Sequence, residues 1–68
     1  MGIGANIKRY RLEAKLSQAG LAKAAQVPQT NLSYWEWGYS CPDYYESARI
    51  ASVLGVTLEQ LGEEKSAG

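Results

Sequence analysis

Residues 16–38, LSQAGLAKAAQVPQTNLSYWEWG, contain the pattern that decides the fold of this chain. Ser17 is of a type preferred as a helix N-cap, because its hydroxyl accepts a hydrogen bond from an unpaired backbone N–H of the first turn. The residues after it form an apolar stripe at helical spacing, made of Leu21, Ala22 and Ala25. The stretch therefore begins with a short helix, which ends in a tight turn at Gln26 and Val27.

The second half of the stretch predicts another helix. Pro28 suits its first turn, because proline lacks the N–H that is unpaired at that position. Leu32 and Trp35 are three residues apart, so both face the core side of the helix. Gly38 is the type of residue that ends a helix in the left-handed conformation. Two short helices joined by a tight turn are thus expected.

The segment before this stretch predicts a first helix. Its apolar face is marked by Ile3, Ile7 and Tyr10. Lys15 and Leu16 end it. Because Tyr10 and Trp35 are both at core spacing, we expect these two aromatic side chains to pack inside the domain.

The segment after it predicts two more helices. Pro42 and Asp43 start a fourth helix, which carries an apolar face and a closing glycine, namely Ile50, Ala51, Leu54 and Gly55. Thr57 and Gln60 have the spacing of a capping box for a short fifth helix that ends near Leu61. No segment has strand periodicity. The predicted fold class is all-α: a compact bundle of five helices in one domain over residues 1–62, followed by a frayed polar tail at residues 63–68.

The composition excludes several classes of protein. The chain has 68 residues, one cysteine and no histidine. It therefore lacks both an internal disulfide and a zinc site, and no cofactor is expected. Without histidine, and with no serine or cysteine beside an evident catalytic partner, it is not expected to be an enzyme.

The composition also bears on location. No apolar run is long enough for a membrane span or a signal peptide. We therefore expect a cytoplasmic protein with neither a membrane nor a small-molecule partner. Cys41 is then expected to be a reduced thiol, packed in its loop as a small side chain.

Three runs of residues resemble the phage-repressor helix-turn-helix family, of the Cro/cI-like or XRE type. They are Leu16-Ser17-Gln18-x-x-Leu21-Ala22, Val27-x-x-x-x-Leu32-Ser33-x-Trp35-Glu36-x-Gly38-x-x-x-Pro42, and Ile50-Ala51-x-x-Leu54-Gly55-Val56-x-x-x-x-Leu61. The resemblance covers about residues 4–62 and implies a lambda-repressor-like bundle. In that family the third helix lies in the major groove of DNA.

The resemblance also implies roles for particular residues. Arg11 is expected to pair with Glu36 across the first and third helices and so to hold the third helix at a fixed angle. The family's base-reading positions fall on Gln29, Thr30, Ser33 and Tyr34. Its phosphate contacts at the start of the second helix fall on Ser17 and Gln18. Glutamine reads adenine through two hydrogen bonds, so these residue types fit double-stranded DNA.

The charge distribution of the chain argues against DNA binding. Residues 24–48 contain no Lys or Arg but three acidic residues, and the whole chain has a net charge of zero with a pI near 6.2. DNA-binding domains usually have a basic surface and a pI above about 9.

Two residues also depart from the family pattern. Gly20 replaces the usual acid of the second helix's capping box, which we expect to cost that helix its cap, and Gln26 occupies a turn position where glycine is common.

Residues 33–45 contain six of the chain's seven aromatic residues, interleaved with serine and glycine. Such a composition is typical of the centre of a protein-binding surface. The sequence alone therefore favours a protein-binding module, natural or engineered, on a helix-turn-helix scaffold, with an unidentified protein partner. Its predicted surface, called here the aromatic patch, consists of Gln26, Gln29, Trp37, Tyr39, Tyr44 and Tyr45. The alternative is a sequence-specific repressor domain that binds double-stranded DNA, and a homodimer stays open in either case.

Overall fold

The computed structural model describes residues 2–63, which form five helices and no strand. The helices are α1 (Ile3–Glu13), α2 (Gln18–Ala25), α3 (Gln29–Trp37), α4 (Tyr44–Leu54) and α5 (Leu58–Gly62). This arrangement confirms the predicted all-α, lambda-repressor-like bundle. Met1 and residues 64–68 lie outside the described residues, and so does most of the predicted polar tail.

Three of the helices begin at a side-chain cap. The Ser17 hydroxyl accepts a hydrogen bond from the Gly20 N–H at 2.9 Å. Thr57 and Gln60 form the predicted capping box at the start of α5. Asp43 and Glu46 form a second capping box at the start of α4, which was not predicted from the sequence. These bonds satisfy backbone N–H groups that have no partner inside the helix.

Three expectations from the sequence need correction. The glycine at position 20 does not remove the cap of α2, because the Ser17 hydroxyl needs only the backbone N–H of that residue. Pro28 is the N-cap of α3 and not its first helical residue, since its backbone is extended and α3 begins at Gln29. Cys41 is exposed rather than packed, because its loop runs over the surface between α3 and α4.

The core takes one fully buried side chain from every helix. These side chains are Ile7, Leu21, Leu32, Ile50 and Leu61. Trp35 is also buried, and Tyr10 is partly buried against the same core, as their spacing predicts. All five helices therefore depend on one another, because none could bury its apolar face alone.

Helices α1 and α3 pack with backbone in direct contact at Gly4. A Cβ atom at this position would lie 1.7 Å from the Trp35 carbonyl oxygen. Only glycine allows so close an approach. This contact fixes the N-terminal end of α1 against the last turn of α3.

Two polar side chains tie helix ends to other helices. The Asn6 side-chain amide donates to the Leu61 carbonyl at 2.8 Å and also to the Glu63 carbonyl, so α1 holds the end of α5. The Arg49 Nε donates to the Ala25 carbonyl at 2.9 Å, so α4 holds the end of α2. The bonds to Leu61 and Ala25 satisfy carbonyl groups that the last turn of a helix leaves unpaired.

Neither a membrane span nor a metal-binding cluster is found in residues 2–63. Their helices are too short and too polar to cross a bilayer. No group of three or more Cys, Asp or Glu side chains there is arranged to hold a metal ion.

Candidate nucleic-acid interface

The turn between α2 and α3 sets the angle between the two helices. Gln26 adopts a left-handed conformation with φ 60° and ψ 44°. The Val27 N–H then donates to the Ala22 carbonyl at 2.9 Å, and Val27 itself is buried. A left-handed non-glycine residue costs about 1 kcal/mol or more, which the buried Val27 helps to offset. The result is a compact helix-turn-helix.

Arg11 and Glu36 are brought together, as the resemblance implies. The Arg11 Nε donates to Glu36 Oε2 at 2.8 Å and its Nη2 donates to Oε1 at 3.1 Å. The Arg11 Nη1 also donates to the Leu16 carbonyl at 2.9 Å. Only 9% of the arginine side chain and 3% of the glutamate side chain are exposed. This bidentate, buried pair fixes α3 against α1 and the start of α2.

Gln18 belongs to the same network. Its side-chain Nε2 donates to Glu36 Oε1 at 2.9 Å. The sequence indicated only a phosphate contact for this residue. The structure adds that Gln18 orients Glu36 and links the first turn of α2 to the last turn of α3.

A shallow groove lies along the exposed side of α3. It is lined by five of the six residues predicted to contact DNA, namely Gln18, Gln29, Thr30, Ser33 and Tyr34. The sixth, Ser17, uses its hydroxyl as the cap of α2 at one end of the same surface. We call these five residues the reading groove. Amide, hydroxyl and phenol groups of α3 thus line one side of the groove, and Gln18 of α2 lines the other.

The exposed aromatic side chains of residues 2–63 form two separate groups. Tyr39 stacks on Trp37 with ring centroids 6.2 Å apart, and it meets Tyr34 edge to face at 6.1 Å. Tyr44 and Tyr45 pack edge to face on each other at 5.5 Å. Trp37 and Tyr39 are 71% and 75% exposed, so neither is a core residue.

The remaining residues of the aromatic patch are also exposed. Tyr44 and Tyr45 begin α4, Gln26 lies in the turn after α2, and Gln29 starts α3. Gln29 belongs to the reading groove as well. All six side chains of the aromatic patch are therefore exposed, but its aromatic rings form two groups and not one.

Lys8, to which no site role was assigned from the sequence, is a positive charge near the groove. It lines a depression together with Arg11, Gln18, Glu36 and Trp37. Gln18 is shared with the reading groove, so Lys8 lies on the flank of that groove. Lys8 is three residues before Arg11, and residues three apart share a helix face. This spacing could have indicated that Lys8 lies on the same side of α1 as Arg11.

Comparison with known families gives a match over most of the chain. Residues 7–61 match the family described as helix-turn-helix. No curated protein sequence matches the chain significantly.

Solved structures include similar domains. The N-terminal DNA-binding domain of SinR from Bacillus subtilis is 34% identical, with a TM-score of 0.88, over 93% of each chain. SinR, the master regulator for biofilm formation, in complex with DNA is 33% identical over 87% of this chain and 95% of that one, with a TM-score of 0.84. A chain of the SinR–SinI complex is 34% identical over 93% of this chain, with a TM-score of 0.89. This chain spans only 62% of the length of that one. On the basis of its fold, its Arg11–Glu36 pair and these matches, the chain belongs to the Cro/cI-like, XRE-type helix-turn-helix family.

Proposed function

We propose that this domain is a sequence-specific transcriptional repressor domain that binds double-stranded DNA. The observation that carries the proposal is the reading groove, in which α3 presents Gln29, Thr30 and Ser33 on one exposed face. A glutamine side chain can form two hydrogen bonds with the edge of adenine in the major groove. The hydroxyl groups of Thr30 and Ser33 can donate or accept a hydrogen bond and therefore fit more than one base. The buried Arg11–Glu36 pair holds this face at a fixed angle.

The relatives support this function over the one that the sequence alone favours. SinR, which is 33% identical, has been solved in complex with DNA. We therefore prefer DNA binding to protein binding as the function of this domain.

The groove supplies base contacts, whereas phosphate contacts must come from its flanks. Lys8 lies beside Gln18, and Ser17 and Gln18 are at the start of α2, where backbone N–H groups favour an anion. Because residues 24–48 contain no Lys or Arg, few cations are available beside α3, so affinity depends on base readout more than in most DNA-binding domains.

The experiment is a selection of duplexes from a random pool, followed by anisotropy titrations with the selected duplex and a scrambled one. Gln29→Ala should weaken binding to the selected duplex by about 1–3 kcal/mol, roughly 5- to 150-fold, because it removes a bidentate contact. Binding to the scrambled duplex should hardly change. Ser52→Ala, on the exposed side of α4, is the control and should bind like the wild type. Failure of the pool to enrich any sequence would contradict the proposal.

A second candidate function is protein binding through the aromatic patch. It is favoured by the exposed stack of Trp37 on Tyr39, which carries large apolar area in a rigid arrangement. If a protein binds the aromatic patch, Trp37→Ala should weaken the affinity of the domain for that protein by about 2 kcal/mol or more, with little change in the stability of the domain. Leu12→Ala, an exposed apolar residue on α1, is the matched control. Equal affinity of the two variants would exclude Trp37 as the anchor of such a surface.

A further inference from the structure

Tyr34 is the aromatic member of the reading groove. The other residues that line the groove are polar: Gln18, Gln29, Thr30 and Ser33. Tyr34 lies four residues after Thr30, so the two side chains share one face of α3. It is 49% exposed, which leaves about half of its surface free to contact a ligand in the groove.

The Tyr34 ring contacts a second aromatic ring, which in turn stacks on a third. Tyr39 meets it edge to face, with centroids 6.1 Å apart and planes at 68°. Tyr39 in turn stacks on Trp37 with planes only 7° apart. The Tyr39 N–H also donates to the Tyr34 carbonyl at 3.0 Å, which ties the loop to the helix. A supported ring loses less conformational freedom when it makes a contact, so its contact surface is preorganised.

The chemistry of the ring limits what it can recognise. Tyr34 carries no charge, and residues 24–48 contain no Lys or Arg that could turn this end of α3 toward a phosphate. The ring offers an apolar surface to whatever enters the groove. On base edges in the major groove, the apolar group is the C5 methyl of thymine.

We propose that Tyr34, positioned by Tyr39, reads a thymine methyl group in the DNA sequence that this domain selects. The inference rests on the proposed function, because it concerns the same groove. Tyr34 contacts the methyl group directly. Tyr39 acts through Tyr34 and is a positioning residue.

Replacement of thymine by uracil in the selected duplex tests this proposal, because it removes only the methyl group. Each dT of that duplex is changed to dU in turn, and the dissociation constant is measured by anisotropy. At one position the wild type should bind about fourfold more weakly, which is the worth of one buried methyl group. Tyr34→Ala should bind both duplexes equally, whereas Tyr34→Phe should keep the wild-type difference.

Two further variants make the result specific to the ring. Tyr39→Ala should reduce the difference between dT and dU, an effect that a purely structural role would not produce. Leu12→Ala should keep the full difference, and thermal melting should show that all variants are folded. An undiminished dU effect in Tyr34→Ala, or no dU effect at any position, would overturn this inference alone. A pool that enriches no sequence would overturn the proposed function, and this inference with it.

Discussion

At the scale of single residues, Glu36 is a buried carboxylate whose charge is balanced by Arg11. Arg11→Met would keep most of the apolar volume but leave Glu36 with only the Gln18 amide as a partner. Loss of one partner of a buried ion pair costs about 3–5 kcal/mol. That is as large as the whole stability expected of a domain of this size, roughly 3–5 kcal/mol. We therefore expect the variant to be largely unfolded at 25 °C, as measured by urea unfolding.

A double variant provides the control for this prediction. Adding Glu36→Gln to Arg11→Met removes the orphaned charge, so part of the lost stability should return. A urea midpoint for Arg11→Met equal to that of the wild type would show that the pair contributes nothing to the fold.

Gly4 is the second residue on which the packing depends. Gly4→Ala would place a Cβ atom 1.7 Å from the Trp35 carbonyl oxygen, so α1 must move away from α3. We expect a loss of about 2–3 kcal/mol or more, at the upper end of overpacked sites because backbone is involved. Gly2→Ala is the matched control, since nothing lies within 4 Å of its added Cβ. Thermal unfolding of both variants checks the prediction, and equal midpoints would contradict it.

Gly4, Asn6 and Arg49 could not be identified from the sequence. Each acts through backbone of a helix that is distant along the chain, and no periodic pattern reports such a contact. The Arg11–Glu36 pair was expected only because the family resemblance implied it. Local signals were more informative, since the Ser17 cap and the Thr57–Gln60 box depend on neighbouring residues alone.

At the scale of secondary-structure elements, α5 depends most on the rest of the molecule. A five-residue helix is not stable alone in water. It is held by Leu61 in the core and by the hydrogen bonds from Asn6. Asn6→Ala should lower the free energy of unfolding by about 1–3 kcal/mol, because it leaves the buried Leu61 carbonyl without this hydrogen bond.

Amide hydrogen exchange locates this effect. In Asn6→Ala the amides of α5 should exchange faster than those of α2 and α3. Asn31→Ala, which truncates an exposed asparagine on α3, is the matched control and should leave stability and exchange near the wild-type values. Uniform acceleration across all helices would mean that Asn6 does not hold α5 in particular.

All five helices were predictable because apolar spacing and end signals agree along the chain. Their ends differ from expectation by a few residues, as at Pro28, where an extended N-cap replaces a first helical residue. Of the candidate site, the reading groove followed from the family's positions. The support of Tyr34 by Tyr39 did not, because it depends on how the loop after Gly38 returns to α3.

At the scale of the whole molecule, the distribution of charge should govern how the domain binds DNA. The chain has no net charge, and residues 24–48 have no basic side chain. We expect the logarithm of the binding constant for random duplex to fall with that of salt concentration with a slope of about −1 to −3, equivalent to one to three phosphates. Anisotropy titrations at several salt concentrations measure this slope. A slope near −6 would mean that basic residues outside the groove contribute far more than the structure indicates.

Lys8 provides the internal test of that electrostatic account. As the cation beside Gln18, it should contribute about one unit of the slope, which Lys8→Gln would remove for any DNA sequence. Preference for the selected sequence should stay unchanged, because phosphate contacts carry no sequence information.

Readout of base sequence in double-stranded DNA by α3 is measured by the ratio of the dissociation constants for the scrambled and the selected duplex, determined side by side at physiological salt. Scrambling removes at least two contacts worth roughly 1–3 kcal/mol each, so the scrambled duplex should bind at least about thirtyfold more weakly. Equal affinity for the two duplexes would contradict base readout by α3 and leave the exposed aromatic side chains as the better candidate for the working surface.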